Sequence, residues 1–116
     1  MIGDEARVTA AFTTWLRDNG WSVRLEVAHV DVVAERGDHR LYAEVKGRTT
    51  DAGLDVDTAY GQLLRRMTDT EPGEVRYGIV VPTGAVKAAL RVHAHVRATL
   101  RIDLYEVDDN GTVHLR

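Results

Sequence analysis

The chain has 116 residues, 44% hydrophobic and 28% charged, with a net charge of −3 and no cysteine. That length makes one domain over residues 1–116 with a single core, and the lack of thiols excludes disulfides and thiolate metal sites. No apolar run approaches the roughly 18 residues a membrane span needs, and the acidic start, Met1-Ile2-Gly3-Asp4-Glu5, has no signal-peptide core. A cytoplasmic location without membrane contact is expected. The acidic balance does not mark a general nucleic-acid binder, whose affinity needs a basic footprint. Affinity of that kind would have to come from clustered arginines, a partner or a second subunit.

In chain order, residues 4–19 read as an amphipathic helix, because Val8, Phe12, Trp15 and Leu16 recur at helical spacing and Asn19-Gly20 is a stop signal. Three strands follow, over 21–28, 29–35 and 40–47. Residues 47–55 are polar and Gly/Thr-rich, which predicts a mobile loop. A second helix is expected over 56–69, with Ala59, Tyr60, Leu63, Leu64 and Met67 on one face. Thr70-Glu71-Pro72-Gly73 reads as a turn. Val75 to Val81 is an apolar strand stopped by Pro82. A third helix is expected over 84–99, with Val86, Ala89, Leu90, His93 and Val96 inward. The chain closes with strands over 102–107 and 112–115, joined at Asn110-Gly111. The order is αβββαβαββ, which predicts an α/β fold: a mixed central sheet flanked by helices.

Three charges interrupt the apolar strands. Asp31 lies within Val30-Asp31-Val32-Val33-Ala34, and Glu44 and Lys46 lie within Leu41-Tyr42-Ala43-Glu44-Val45-Lys46. Such charges are costly unless something pairs with them. Gly37-Asp38 between the two runs signals a two-residue hairpin loop of type II′. Arg36 then pairs with His39, Asp31 faces Glu44, and His29 faces Lys46. Opposed residues have Cβ atoms about 4.5–5.5 Å apart, and alternation puts Lys46 on the face of Glu44. Two like charges in opposition destabilise a sheet, and a cation between them reverses the sign. Lysine is scarce: of 15 basic residues only Lys46 and Lys87 are not arginine. A compact ammonium, whose pKa moves readily on burial, stands where arginine is the common choice.

This arrangement resembles the PD-(D/E)xK nuclease superfamily, which includes type II restriction enzymes and archaeal Holliday junction resolvases. The shared features are an N-terminal helix, a three-stranded meander with Asp31 in its second strand and Glu44-Val45-Lys46 in its third, and the Gly61-Gln62-Leu63-Leu64 segment of the next helix. Val30 stands where the family often has proline, a position without chemistry. The resemblance implies a restriction endonuclease-like core. It implies that Asp31, Glu44 and the Val45 carbonyl hold Mg²⁺ or Mn²⁺, and that Lys46 orients the attacking water or stabilises phosphate charge. Resolvase-like members use an acidic residue of the first helix as well, a role that would fall to Glu5. Gln62 would contact the water or a phosphate, and Arg48, Arg65 and Arg66 would contact phosphates of the nucleic acid.

Plainer readings stand beside each of these. The triplet could be a cross-strand salt bridge, Glu5 could complement the helix dipole, and Gln62 and the arginines could be solvated surface. His29 reads more simply as a packed structural histidine, and His93 as core. The leading expectation is a metal-dependent DNA endonuclease, structure-selective or directed by a partner, working as a homodimer or within a larger complex. The alternative is a non-catalytic module of the same fold within a DNA repair or defence complex. RNA as substrate stays open, although aromatics are only 6% and form no stacking pattern.

Overall fold

A computed structural model describes residues 2–48, 50–68 and 73–116, with side chains from residue 4 onward. The turn expected at 70–73 lies, but for Gly73, outside the described residues. Helix α1 spans Ile2–Asp18. It closes as its Asn-Gly signal requires: Gly20 has φ 87° and the Trp21 N–H returns to the Leu16 carbonyl at 3.0 Å. Strands β1 (Ser22–Val27), β2 (Val30–Arg36) and β3 (His39–Val45) form an antiparallel meander. Helix α2 (Ala52–Arg66) crosses to β4 (Glu74–Pro82), which lies parallel to β3. A 3₁₀ turn at Thr83–Ala85 and short helices α3 (Val86–Ala89) and α4 (Ala94–Thr99) lead to β5 (Ile102–Val107), parallel to β4. Strand β6 (Val113–Leu115) closes the edge antiparallel to β5. The six strands sit in the mixed sheet in sequence order, β1 to β6.

Two apolar cores hold the sheet between helices. Val8, Phe12 and Leu16 of α1 pack on Val32, Ala34, Leu41, Ala43, Val45 and Val80. On the opposite face Val56, Ala59, Tyr60 and Leu63 of α2 and Val86 and Ala89 of α3 pack on Tyr77, Ile79, Val81 and Leu104. Alternation along β3 thus gives Ala43 and Val45 to α1 and turns Glu44 toward the side of α2.

Several expectations change, among them Leu90 and Val96, expected inward and found exposed. The loop after Gly47 is shorter than the sequence suggests, because Asp51 caps α2 by accepting the Leu54 N–H at 2.9 Å. That cap fixes the helix phase, so Leu63 is buried and Leu64 is half exposed. The single helix over 84–99 breaks between Ala89 and Ala94. The carbonyl of Val92, freed by the break, accepts the Arg97 Nε–H at 3.0 Å. His93, expected in the core, stands exposed at the N-terminal boundary of α4, makes no capping hydrogen bond with its side chain and stacks on His95. No helix among the described residues is long and apolar enough to cross a membrane.

Candidate metal centre

The β2–β3 hairpin has the register the turn implies. Arg36 pairs with His39, and the ladder runs in step to Val32 with Ala43. Gly37 takes φ 63° while Asp38 stays out of the left-handed region, as a type II′ turn requires. One position beyond the last pair, Asp31 meets Glu44. Their carboxyl groups share a hydrogen bond, and the Val45 N–H donates to Asp31 Oδ2 at 2.8 Å. Asp31 is therefore aimed by the backbone of the strand that carries its partner.

Glu44 is only 2% exposed, and its Oε1 is buried without a hydrogen-bond partner. Its pKa is pushed up to about 8, first by burial and then by the charge and hydrogen bond of Asp31. Lys46 and, more weakly, Arg66 pull the other way. A buried carboxyl group that leaves one oxygen unpaired beside a second acid fits a hard divalent cation. Two carboxylates are also the hard oxygen donors that Mg²⁺ or Mn²⁺ prefers, and Asp31, Glu44 and the Val45 carbonyl are the groups in position to hold one. Among the described residues no three acidic or histidine side chains converge as a ready-made cluster. The carboxylate pair stands on its own.

Lys46 leaves the strand, with its N–H on the Val80 carbonyl at 2.9 Å, and its charge is felt by both Glu44 and Glu5. Glu5 arrives from the other layer. Gly47 lets α1 come this close: a Cβ there would lie 2.7 Å from the Glu5 Cα. Glu5 remains exposed at the rim of the site. Its pKa is raised, first by partial burial and next by Asp31. Asp55 and Glu26 add to that field, two carboxylates that the sequence reading passed over. Asp55 falls in the first turn of α2, once its cap is recognised, and Glu26 precedes an unexpected turn. A groove of about 540 Å³ beside α1 runs to Glu5, lined by Thr9, Thr13, Arg17, Leu25 and Glu26 among others.

The remaining candidates scatter. Gln62 is partly buried and its Oε1 has no partner; it shares a side of α2 with Arg66, whose charge reaches Glu44. Arg65 is exposed on another side of that helix. Arg48 is exposed, ion-paired to Asp109 at 3.5 Å, and its N–H binds the Asp4 carboxylate. His29, expected as a packed residue across from Lys46, sits instead in the β1–β2 turn with φ 68° and is exposed. The strand pairing ends before it reaches that position.

No family model matches this chain, and no curated protein matches it in sequence. Solved structures do match. An XisH family protein from Nostoc punctiforme PCC 73102 superposes with a TM-score of 0.63 at 18% identity, over 93% of this chain and 96% of that one. An FdxN element excision controlling factor protein from Anabaena variabilis superposes with a TM-score of 0.64 at 19% identity, over 94% and 96%. The likeness is one of fold. It extends over nearly the whole of each chain, and the six-stranded mixed sheet between helices is compatible with a restriction endonuclease-like architecture.

Proposed function

We propose that this chain is a divalent-metal-dependent nuclease of the PD-(D/E)xK kind that hydrolyses phosphodiester bonds in DNA. The observation that carries the reading is the Asp31–Glu44 pair: two carboxyl groups bonded to each other, one oxygen of Glu44 unpaired, and the Lys46 charge beside them. A structural ion pair needs no second acid. In this reading Asp31, Glu44 and the Val45 carbonyl hold Mg²⁺ or Mn²⁺, and Glu5 stands at the rim. The chemistry such an ion supplies is acidification of a water and neutralisation of charge on the phosphate. Lys46 offers three N–H donors to the attacking water or a phosphate oxygen. Gln62, with a free amide oxygen, orients the water, and Arg66 and Arg48 lend positive charge to the approaching backbone. A net charge of −3 leaves little general affinity for nucleic acid. That favours structure-selective or partner-directed cleavage, with the chain acting as a dimer or within a complex.

The test is incubation with Mn²⁺ or Mg²⁺ and supercoiled, linear and branched DNA. Cleavage that needs the ion and falls by about 10²-fold or more in Asp31→Ala is expected. Equal cleavage by Asp31→Ala and wild type rules out the site. A second reading, a non-catalytic module, is favoured by one observation: the Anabaena protein of this fold is described as a controlling factor. Calorimetry with Mn²⁺ separates the two, since a module without a metal site takes up no ion.

A further inference from the structure

Helix α2 has a second face that the fold leaves uncovered. Val56, Ala59, Tyr60 and Leu63 point to the sheet. Opposite them Leu54, Asp57, Thr58, Gly61, Leu64 and Arg65 recur at the three- and four-residue spacing of a single helical stripe. Leu54 is 62% exposed and Leu64 50%. Thr58 turns its hydroxyl back to the Leu54 carbonyl at 2.9 Å, which satisfies the polar group within the helix. A Cβ on Gly61 would meet nothing within 4 Å. No packing inside the chain requires glycine there, and glycine in a helix interior costs about 1 kcal/mol relative to alanine.

The stripe is self-complementary. Lay a second α2 antiparallel across the first, with a two-fold axis beside Gly61. Each residue then meets the one equally far on the other side of Gly61 in the other copy. Asp57, four positions before, meets Arg65, four positions after. Symmetry makes that ion pair twice, as an isologous contact demands. Thr58 meets Leu64. Within one copy Asp57 and Arg65 lie two turns apart, about 12 Å along the axis, too far to pair with each other. Glycine at the crossing point lets the two helix axes approach closely.

We infer that the outer face of α2 is a self-association surface for a second copy of this chain, packed as an antiparallel helix pair centred on Gly61. One helix pair covers less than the roughly 1,200 Å² of a standard stable interface, so the dimer is a weak one. Its affinity falls in the micromolar to millimolar range.

Sedimentation equilibrium without DNA or divalent ions tests this independently of any nuclease activity. Wild type is expected to dimerise as its concentration rises. Gly61→Leu fills open space in the monomer, so its circular dichroism should keep the helical signal while its self-association weakens at least tenfold. Asp57→Arg and Arg65→Asp each place like charges opposite one another and should be monomeric alone. Mixed together they restore both ion pairs, so the mixture should dimerise where neither variant does. A wild type still monomeric at about 1 mM overturns the inference. So does a Gly61→Leu or Asp57→Arg variant that associates as wild type does, or a mixture that stays monomeric.

Discussion

Two glutamates are buried in this sheet, and the fold treats them in opposite ways. Glu106 on β5 is 7% exposed and fully partnered: Thr83 donates its hydroxyl to Oε2, and Arg116 donates to Oε1 at 3.0 Å. Glu44 on β3 is more deeply buried, at 2%, yet its hydrogen-bonding neighbour is another carboxyl group and its Oε1 has nothing. The chain has the means to satisfy a buried carboxylate and uses them on β5. Two strands away, on β3, it sets a second acid beside the first instead. A buried carboxyl group with an unpaired oxygen and an acid for a neighbour is costly, which supports the proposal that the Glu44 site serves a cation rather than the fold.

That contrast can be broken most directly by neutralising each glutamate in turn. Glu106→Gln removes a charge that Arg116 and Thr83 were arranged around, and a loss of about 1–3 kcal/mol in urea denaturation is expected. Glu44→Gln at pH 9 removes a repulsion and keeps an amide that can donate to Asp31. The metal-free variant should be as stable as wild type or more so, and it should no longer bind Mn²⁺ in calorimetry. Equal losses at the two positions would mean that Glu44 is a structural residue like Glu106.

The pH dependence sharpens the same point. Glu44 ionises near 4.5 when unfolded and at about 8 when folded. Between those values the folded state binds the extra proton, so its stability falls as pH rises. The contribution is fully present below about pH 4.5 and gone above about pH 8, with a slope of at most about 1.4 kcal/mol per unit. Denaturation curves at pH 5, 6.5 and 8 should show the decline in wild type and a flatter profile in Glu44→Gln. Saturating Mn²⁺ should displace the proton, so its affinity should climb with pH over the same window. A stability rising between pH 5 and 8 in wild type relative to Glu44→Gln would put the proton elsewhere.

The carboxylate pair was legible because a local signal fixed a long-range geometry. Gly37-Asp38 sets the loop, the loop sets the register, and the register brings Asp31 to Glu44. Glycine also announced the close of α1 at Gly20. What the sequence hid is structure without such punctuation. The break after Ala89 falls in Leu90-Arg91-Val92-His93, which contains neither glycine nor proline; Arg97 stabilises it from five residues away. Leu64 falls outside the core because apolar neighbours at 63 and 64 cannot both face the sheet, and the Asp51 cap that chooses between them lies twelve residues before Leu63. Gln62 and Arg66 were assigned to one side of α2 by periodicity alone, which survives such shifts, whereas contact with the site depends on how the helix crosses the sheet.

The β1–β2 turn is the sharpest such case and leads to the smallest expected effect. Val27 pairs with Val30, so Ala28 and His29 form a two-residue loop. Their φ values are 50° and 68°, the left-handed pair of a type I′ turn. Asn-Gly suits that turn, and Ala-His does not: a non-glycine residue held there costs about 1–2 kcal/mol. Replacing the loop by Ala28→Asn with His29→Gly should therefore raise stability by about 1 kcal/mol in urea denaturation, partly offset by the freedom glycine gains when unfolded. The strained loop lies two residues before Asp31, at the end of the hairpin that holds the carboxylates, whereas the β5–β6 turn next to Glu106 gives its left-handed position to Gly111. If the strain serves only to turn the chain, the relaxed variant keeps its Mn²⁺ affinity. If it sets where Asp31 stands against Glu44, stability and Mn²⁺ affinity should move in opposite directions, and calorimetry on the stabilised variant reads that difference directly.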